Sequence, residues 1–196
     1  LNHLCTVIME DNLKRIQSLV ENLFNVYKIS FKDEELQDIY NFKGNIGRPQ
    51  IAKLCVKYGY SSSVKEAFKT LFNPIKDRII KRTIEPTAKE CIDYILKAGG
   101  IVSLAHAITL NKEQTELKKF VKELTSYGLS AIEIYHSSHS LAFSKQLLQI
   151  ADELNLLCSA GSDYHGHIVK PNIDIGEYSK EKINESDITI ISSLLR

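Results

Sequence analysis

No stretch of the 196-residue chain is an uncharged apolar run approaching the roughly 18 residues a membrane-spanning helix requires. An excess of one charge is equally lacking: 25 Lys and Arg stand against 24 Asp and Glu, for a formal charge of +1. That balance argues against broad attraction to nucleic acid or membrane surfaces, while leaving room for a small phosphate-binding patch. The four cysteines (Cys5, Cys55, Cys91 and Cys158) form no CxxC pair. They read as mostly buried, unpaired thiols in a reducing compartment, so the expected location is the cytoplasm. Repeats and low-complexity tracts are missing too. The chain opens on Leu1-Asn2-His3, with neither an initiator Met nor a basic leader, and it is expected to be a fragment of a longer protein. With 43% apolar and 25% charged residues, the composition is that of one ordered domain, with or without an insertion.

The first part of the chain has helical periodicity. Leu13, Ile16, Leu19, Val20, Leu23 and Phe24 recur at spacings of three and four, which predicts a helix over residues 10–27. Leu36, Ile39 and Tyr40 predict a shorter one. A breaker cluster, Gly44-Asn45-Ile46-Gly47-Arg48-Pro49, then leads into a helix carrying Ile51, Leu54 and Cys55 that Gly59 ends. Ser63 and Glu66 have capping-box spacing before a fourth helix that stops at Pro74. Residues 1–85 are therefore expected to form a helical subdomain.

From residue 86 the period changes. Short apolar runs at residues 101–105, 131–135 and 156–160 alternate with helical patterns, which predicts parallel strands joined by crossover helices. The first of these reads as a strand buried on both faces. A last helix is expected near residues 187–195. Each run ends in ligand-type residues: His106 after the first, His136 and His139 after the second, and Asp163, His165 and His167 after the third. In parallel α/β structures such ends share one face, where sites are built. Five of the six histidines are thus expected on one side. Asp163 and His165 are two apart, so in an extended segment both would face one cation. With His106 they make an N2O set that suits Mn, Fe or Zn better than Mg or Ca.

Four ordered motifs carry a family resemblance. They are Ile46-Gly47-Arg48-Pro49, the run from Ala98-Gly99-Gly100 to Leu104-Ala105-His106, Ile132-Glu133-Ile134-Tyr135-His136, and Gly161-Ser162-Asp163-Tyr164-His165-Gly166. This series resembles the C-terminal part of a PHP-domain (polymerase and histidinol phosphatase) phosphoesterase, in the branch of nucleoside 3′,5′-bisphosphate phosphatases and 5′→3′ oligoribonucleases. The resemblance implies an α/β fold: the C-terminal part of a distorted (β/α)7 barrel over residues 86–196, preceded by a helical insertion over residues 1–85. It also implies a metal-dependent hydrolase of a phosphomonoester or nucleotide phosphoester, acting on a small phosphorylated substrate such as a nucleotide or short oligonucleotide, with His106, Asp163 and His165 as metal ligands. Manganese is the first choice, with zinc, iron or magnesium as alternatives.

Further roles follow partly from chemistry and partly from the likeness. Arg48, at a helix start after Gly47, offers a guanidinium fork and free backbone N–H groups to phosphate. Arg82 is a second phosphate contact by resemblance. Gln50 stands where the family usually has His; it can hydrogen-bond a substrate oxygen but cannot transfer a proton. His136 is expected near the substrate, as proton donor to the leaving group. The family's opening HxH, S-D-G and T-D-H motifs are absent and would precede residue 1, so the chain alone is expected to be inactive and to self-associate through an exposed strand edge. Ala107 stands where Pro is usual. Two other classes remain: a non-catalytic binding or regulatory module with a decayed metal site, and a hydrolase of the amidohydrolase type.

Overall fold

A computed structural model of the chain describes residues 2–178 and 185–190. It divides into two compact units, one of Leu1–Glu85 with His167–Pro171 and the other of Pro86–Gly166 with Asn172–Arg196.

The first unit is helical. Helix α1 (Asn2–Tyr27) begins eight residues before the expected start, ahead of the apolar stripe. Helices α2 (Asp33–Tyr40) and α3 (Arg48–Lys57) follow. Helix α4 (Val64–Ala67) is a single turn capped by Ser63, whose hydroxyl accepts from the Glu66 N–H at 3.1 Å. The Glu66 carboxylate turns to Ser62 instead of closing the box on Ser63. The chain then passes through a π-turn (Phe68–Phe72) into a 3₁₀ turn (Asn73–Arg78), so the fourth helix does not stop at Pro74. Lacking an N–H, Pro74 fits the first turn of a new helical segment without breaking a bond. Leu19, Leu23, Ile51, Ala52, Cys55, Ala67 and Phe72, all fully shielded from solvent, form the centre of this unit's core.

The second unit holds helix α5 (Ala88–Lys97), strand β1 (Ser103–Leu104), helix α6 (Gln114–Tyr127), strand β2 (Ala131–His136), helix α7 (Leu141–Leu154) and strand β3 (Leu157–Gly161). The strands form a parallel sheet in the order β1-β2-β3, as the alternation of periods predicts. Thr87 caps α5 in a full capping box with Glu90, and Gly128 closes α6 at φ 113°. A Cβ at Gly128 would meet Leu96 Cδ1 at 2.5 Å, so no other residue suits this turn.

Two expectations are corrected here. Strand β1 is only two residues long and half-buried, because it pairs on one side alone among the described residues. Of the cysteines, Cys55 and Cys158 are buried, but Cys5 and Cys91 are exposed. The helix expected near residues 187–195 lies mostly outside the described residues; a 3₁₀ turn occupies Glu185–Asp187.

The register places the strand ends. Glu133 pairs with Ser159 and Tyr135 with Ala160, so Ile134 is an extra residue in a β-bulge. The hydroxyls of Ser103 and Ser159, on the two outer strands, lie 2.8 Å apart. Flat strands would hold them about 9–10 Å apart, so the sheet curves tightly around this face. No helix among the described residues is long and apolar enough to cross a membrane.

Candidate functional site

The sheet unit carries its chemistry where the strands end. His106 follows β1 with left-handed backbone, φ 34° and ψ 54°. Its N–H donates to Glu133 Oε2 at 2.6 Å, and its Nδ1 lies 3.2 Å from the Thr109 hydroxyl. Its ring stands edge-on to that of His136 at 5.9 Å, and the His136 ring lies 5.1 Å from that of His139.

His136 ends β2 and is buried. Its Nδ1 accepts from the Ser138 N–H at 3.0 Å, which puts the proton of the neutral ring on Nε2. That Nε2 is 4.0 Å from Asp163 Oδ2. His139 is the opposite tautomer: its Nδ1–H donates to the Ile134 carbonyl at 2.9 Å. The bulge leaves this carbonyl to side chains, and the Ser144 hydroxyl donates to it as well, at 3.0 Å. Burial foremost, and the neighbouring His136 and His106 next among the opposing charges, hold His139 below the ordinary histidine value.

Asp163 has φ 55°, so the segment after β3 is a left-handed turn and not the extended run expected. The turn still brings Asp163 and His165 together: His165 Nδ1 lies 3.4 Å from Asp163 Oδ1 and 2.7 Å from the Asp163 carbonyl oxygen. Asp163 thereby stands between His136 and His165. No group of three or more His, Cys, Asp or Glu among the described residues is gathered closely enough to hold a metal ion. The donors nevertheless suit a divalent cation: the Nδ1 atoms of His106 and His165 face an oxygen, which orients Nε2 as a ligand nitrogen.

The helical unit carries a group of arginines. Arg48 is the first residue of α3, and its guanidinium stacks over the Phe68 ring at 5.1 Å. Burial, together with the positive charges of Arg82 and Arg48, holds Arg15 below the ordinary arginine value. Arg15 also donates through Nε to the Ile80 carbonyl at 3.2 Å. Arg15 thus feels the positive charge of both Arg82 and Arg48, and such a concentration of charge favours an anion. The Gln50 side chain accepts from the Gly47 N–H at 3.0 Å, so it ties down the turn before Arg48 instead of reaching outward.

His106, His136, Asp163 and His165 therefore fall in the sheet unit, while Arg48, Gln50 and Arg82 fall in the helical one. Of the five histidines expected on one side, His106, His136, His139 and His165 fall in the sheet unit and His167 in the segment His167–Pro171 grouped with the helical one. Sequence reasoning missed Arg15, which looks like one of many solvated charges on α1. It also missed Glu133, although a carboxylate inside an otherwise apolar strand is a signal.

No protein-family model matches the chain. Curated relatives do. A phosphoribosyl 1,2-cyclic phosphate 1,2-diphosphodiesterase of Eggerthella lenta is 30% identical over 103 residues, covering 51% of this chain and 37% of its own. A 5′-3′ exoribonuclease of Haemophilus influenzae is 28% identical over 124 residues, covering 62% of this chain and 44% of its own. The 5′-3′ exoribonuclease Rnm of Escherichia coli is 29% identical over 122 residues, covering 62% and 41%. The matched segment thus spans less than half of these relatives.

Among solved structures, a protein of Bifidobacterium adolescentis named as a metal-dependent phosphoesterase superposes with a TM-score of 0.76 at 27% identity, over 96% of this chain and 63% of its own. A Chromobacterium violaceum amidohydrolase superposes with a TM-score of 0.71 over 97% of this chain and 64% of its own; at 21% identity it speaks for the fold alone. These likenesses bear out the resemblance drawn from the four motifs: this chain is similar to PHP-like phosphoesterases.

Proposed function

We propose that this chain is part of a metal-dependent phosphoesterase that hydrolyses phosphoesters of the nucleotide class. The observation that carries the reading is the strand-end geometry. His106 and Asp163 both adopt left-handed backbone, and Asp163 is set between two imidazoles. Backbone of this kind in non-glycine residues tends to persist where a site needs it. The names of the relatives, a diphosphodiesterase and two 5′-3′ exoribonucleases, support phosphoester substrates. The name of the Bifidobacterium protein supports a divalent metal.

His106, Asp163 and His165 would hold that metal, for which manganese suits the imidazole and carboxylate donors. Bound there, the metal supplies a lowered pKa for coordinated water and neutralisation of phosphoryl charge. The chain's own residues do the rest. Arg48 and Arg82, with Arg15 beside them, bind phosphoryl oxygens through charge-assisted hydrogen bonds. Gln50 serves by fixing the Gly47 turn. His136 in its neutral form presents an Nε2–H, near Asp163, that can hydrogen-bond a leaving oxygen as charge develops there; as the imidazolium it would give that oxygen a proton and return to neutral imidazole. The curved parallel sheet would be the C-terminal part of a distorted barrel, and residues 1–85 an insertion into it. The outer edge of β1 would pair with further strands or with a second copy.

The alternative, a binding module with a decayed metal site, draws support from the lack of a gathered three-ligand group among the described residues. Hydrolysis by the full-length protein, read as phosphate released from a nucleoside 3′,5′-bisphosphate and as mononucleotide released from a 5′-phosphorylated oligoribonucleotide, separates the two. Release that needs Mn²⁺ and is lost in Asp163→Asn is the expected result. Binding of either substrate without hydrolysis at any Mn²⁺ concentration would favour the module.

A further inference from the structure

We infer that Glu133 is a positioning residue for His106, fixing the strand-end imidazole through its backbone. The inference rests on the role proposed for His106 above, although its geometry stands independently. Left-handed backbone is unfavourable for an ordinary L-residue, because Cβ crowds the following carbonyl, and His106 adopts it at φ 34°. Some contact must repay that cost, and two side chains make it. Glu133 Oε2 accepts from the His106 N–H at 2.6 Å, a short charge-assisted bond. Thr109 holds the other end: its N–H and its hydroxyl both donate to the His106 carbonyl, at 3.0 and 2.9 Å. With Thr109 also facing Nδ1, both backbone polar groups and one ring nitrogen of His106 are held.

The second carboxylate oxygen explains a glycine on the neighbouring strand. A Cβ at Gly161 would lie 2.5 Å from Glu133 Oε1, so the carboxylate occupies the space a side chain at that position would fill. Glu133 thus spans from the end of β3 to the end of β1, from the middle strand between them. It sits one residue before the bulged Ile134, where the change of register re-aims the strand. A carboxylate in the apolar run Ala131-Ile132-Glu133-Ile134 has no packing role that Val or Thr would not fill better. What distinguishes Glu is its length and its acceptor oxygens.

The test uses the full chain with Glu133→Ala, Glu133→Gln and Gly161→Ala. Gln has the same length and keeps one acceptor oxygen, so a positioning role requires that it rescue what Ala loses. The first readout is the His106 amide proton by NMR. It should move upfield and lose exchange protection in Glu133→Ala, hold in Glu133→Gln, and leave the Ile132 amide unmoved in both. The second readout is titration with Mn²⁺ alone, followed by paramagnetic broadening of the His106 imidazole. Glu133→Ala should weaken apparent affinity by about 10-fold, as loss of a supporting partner does, and Glu133→Gln should recover most of it. Gly161→Ala should mimic Glu133→Ala and add little to it in the double variant. An unmoved His106 amide in Glu133→Ala, a Gln variant as damaged as Ala, or full additivity with Gly161→Ala would each overturn the inference. No Mn²⁺ binding by the wild-type chain, with the amide results as expected, would instead overturn the metal role proposed for His106 and leave the positioning geometry standing.

Discussion

The two units use left-handed backbone differently. In the helical unit it falls on Lys28 and Gly59, residues just beyond helix ends where such a turn is routine. In the sheet unit Asn111, Asn155 and Gly128 do the same duty, but His106 and Asp163 do not close α-helices. They follow strands β1 and β3, and both are candidate ligands. The polar residues of the helical unit sit on relaxed frames: Arg48 begins a helix, and Arg15 lies within one. An arginine finds its anion through a long flexible arm, so an ordinary helix serves it. A short aspartate or histidine side chain has to be aimed by its backbone, and strain at strand ends is how that is done.

The cores offer the largest test of treating the units separately. Phe72 is fully buried in the helical unit and Ile132 in the sheet unit. Phe72→Ala should cost about 3–5 kcal/mol and Ile132→Ala about 2–5 kcal/mol. Amide exchange read residue by residue should show each loss concentrated in its own unit. Equal loss of protection in both units from either variant would break the comparison.

Next in size is the arginine group. In the full-length protein Arg48→Ala should remove a charge-assisted contact of about 1.5–3 kcal/mol, a roughly 10- to 150-fold fall in kcat/KM on a nucleoside bisphosphate. Mn²⁺ affinity should be unchanged, because the proposed ligands lie in the other unit. Arg48→Lys should recover only part, since a point charge cannot reproduce the planar fork. Equal losses of Mn²⁺ affinity and turnover would remove the division of labour between the units.

A smaller effect concerns pH. His139 is held below its ordinary value of 6.5, chiefly by burial, so the unfolded chain binds its proton more readily than the folded one. The stability due to its neutral form is therefore complete above pH 6.5 and is lost as pH falls from there through the folded value. One such group contributes a slope of at most about 1.4 kcal/mol per pH unit. Urea unfolding across that range should show the slope, and His139→Gln should flatten it. An identical slope in the variant would assign the acid sensitivity elsewhere.

The smallest test compares thiols, since each unit holds one buried and one exposed cysteine. Burial raises Cys158 and pushes Cys55 up to about 11. An aromatic disulfide reagent should therefore modify Cys5 and Cys91 rapidly in the native chain, and Cys55 and Cys158 only on unfolding. Fast modification of Cys158 before unfolding would show that the sheet opens locally.

The amino-acid sequence by itself determined the periods, the punctuation and the residue types at the strand ends. Three- and four-residue spacing settled α1 to α3. Alternation of short apolar runs with helices settled the parallel order, because such a chain can bury its strands in few other ways. Four motifs were enough for the resemblance. These features are local in sequence, and hydrophobic burial reads them directly. What only the tertiary structure decided is which groups meet. The left-handed turn at Asp163, the bulge at Ile134 that yields its carbonyl to His139, and the reach of Glu133 from β2 to His106 all depend on neighbouring strands. The approach of Arg48 and Arg82 to Arg15, from separate parts of the chain, depends instead on helix packing in the other unit. Periodicity says which face of an element is apolar; it carries no information about strand register or backbone handedness. Those are selected by packing and hydrogen bonding between residues far apart in the chain, and they exist only once the chain has folded.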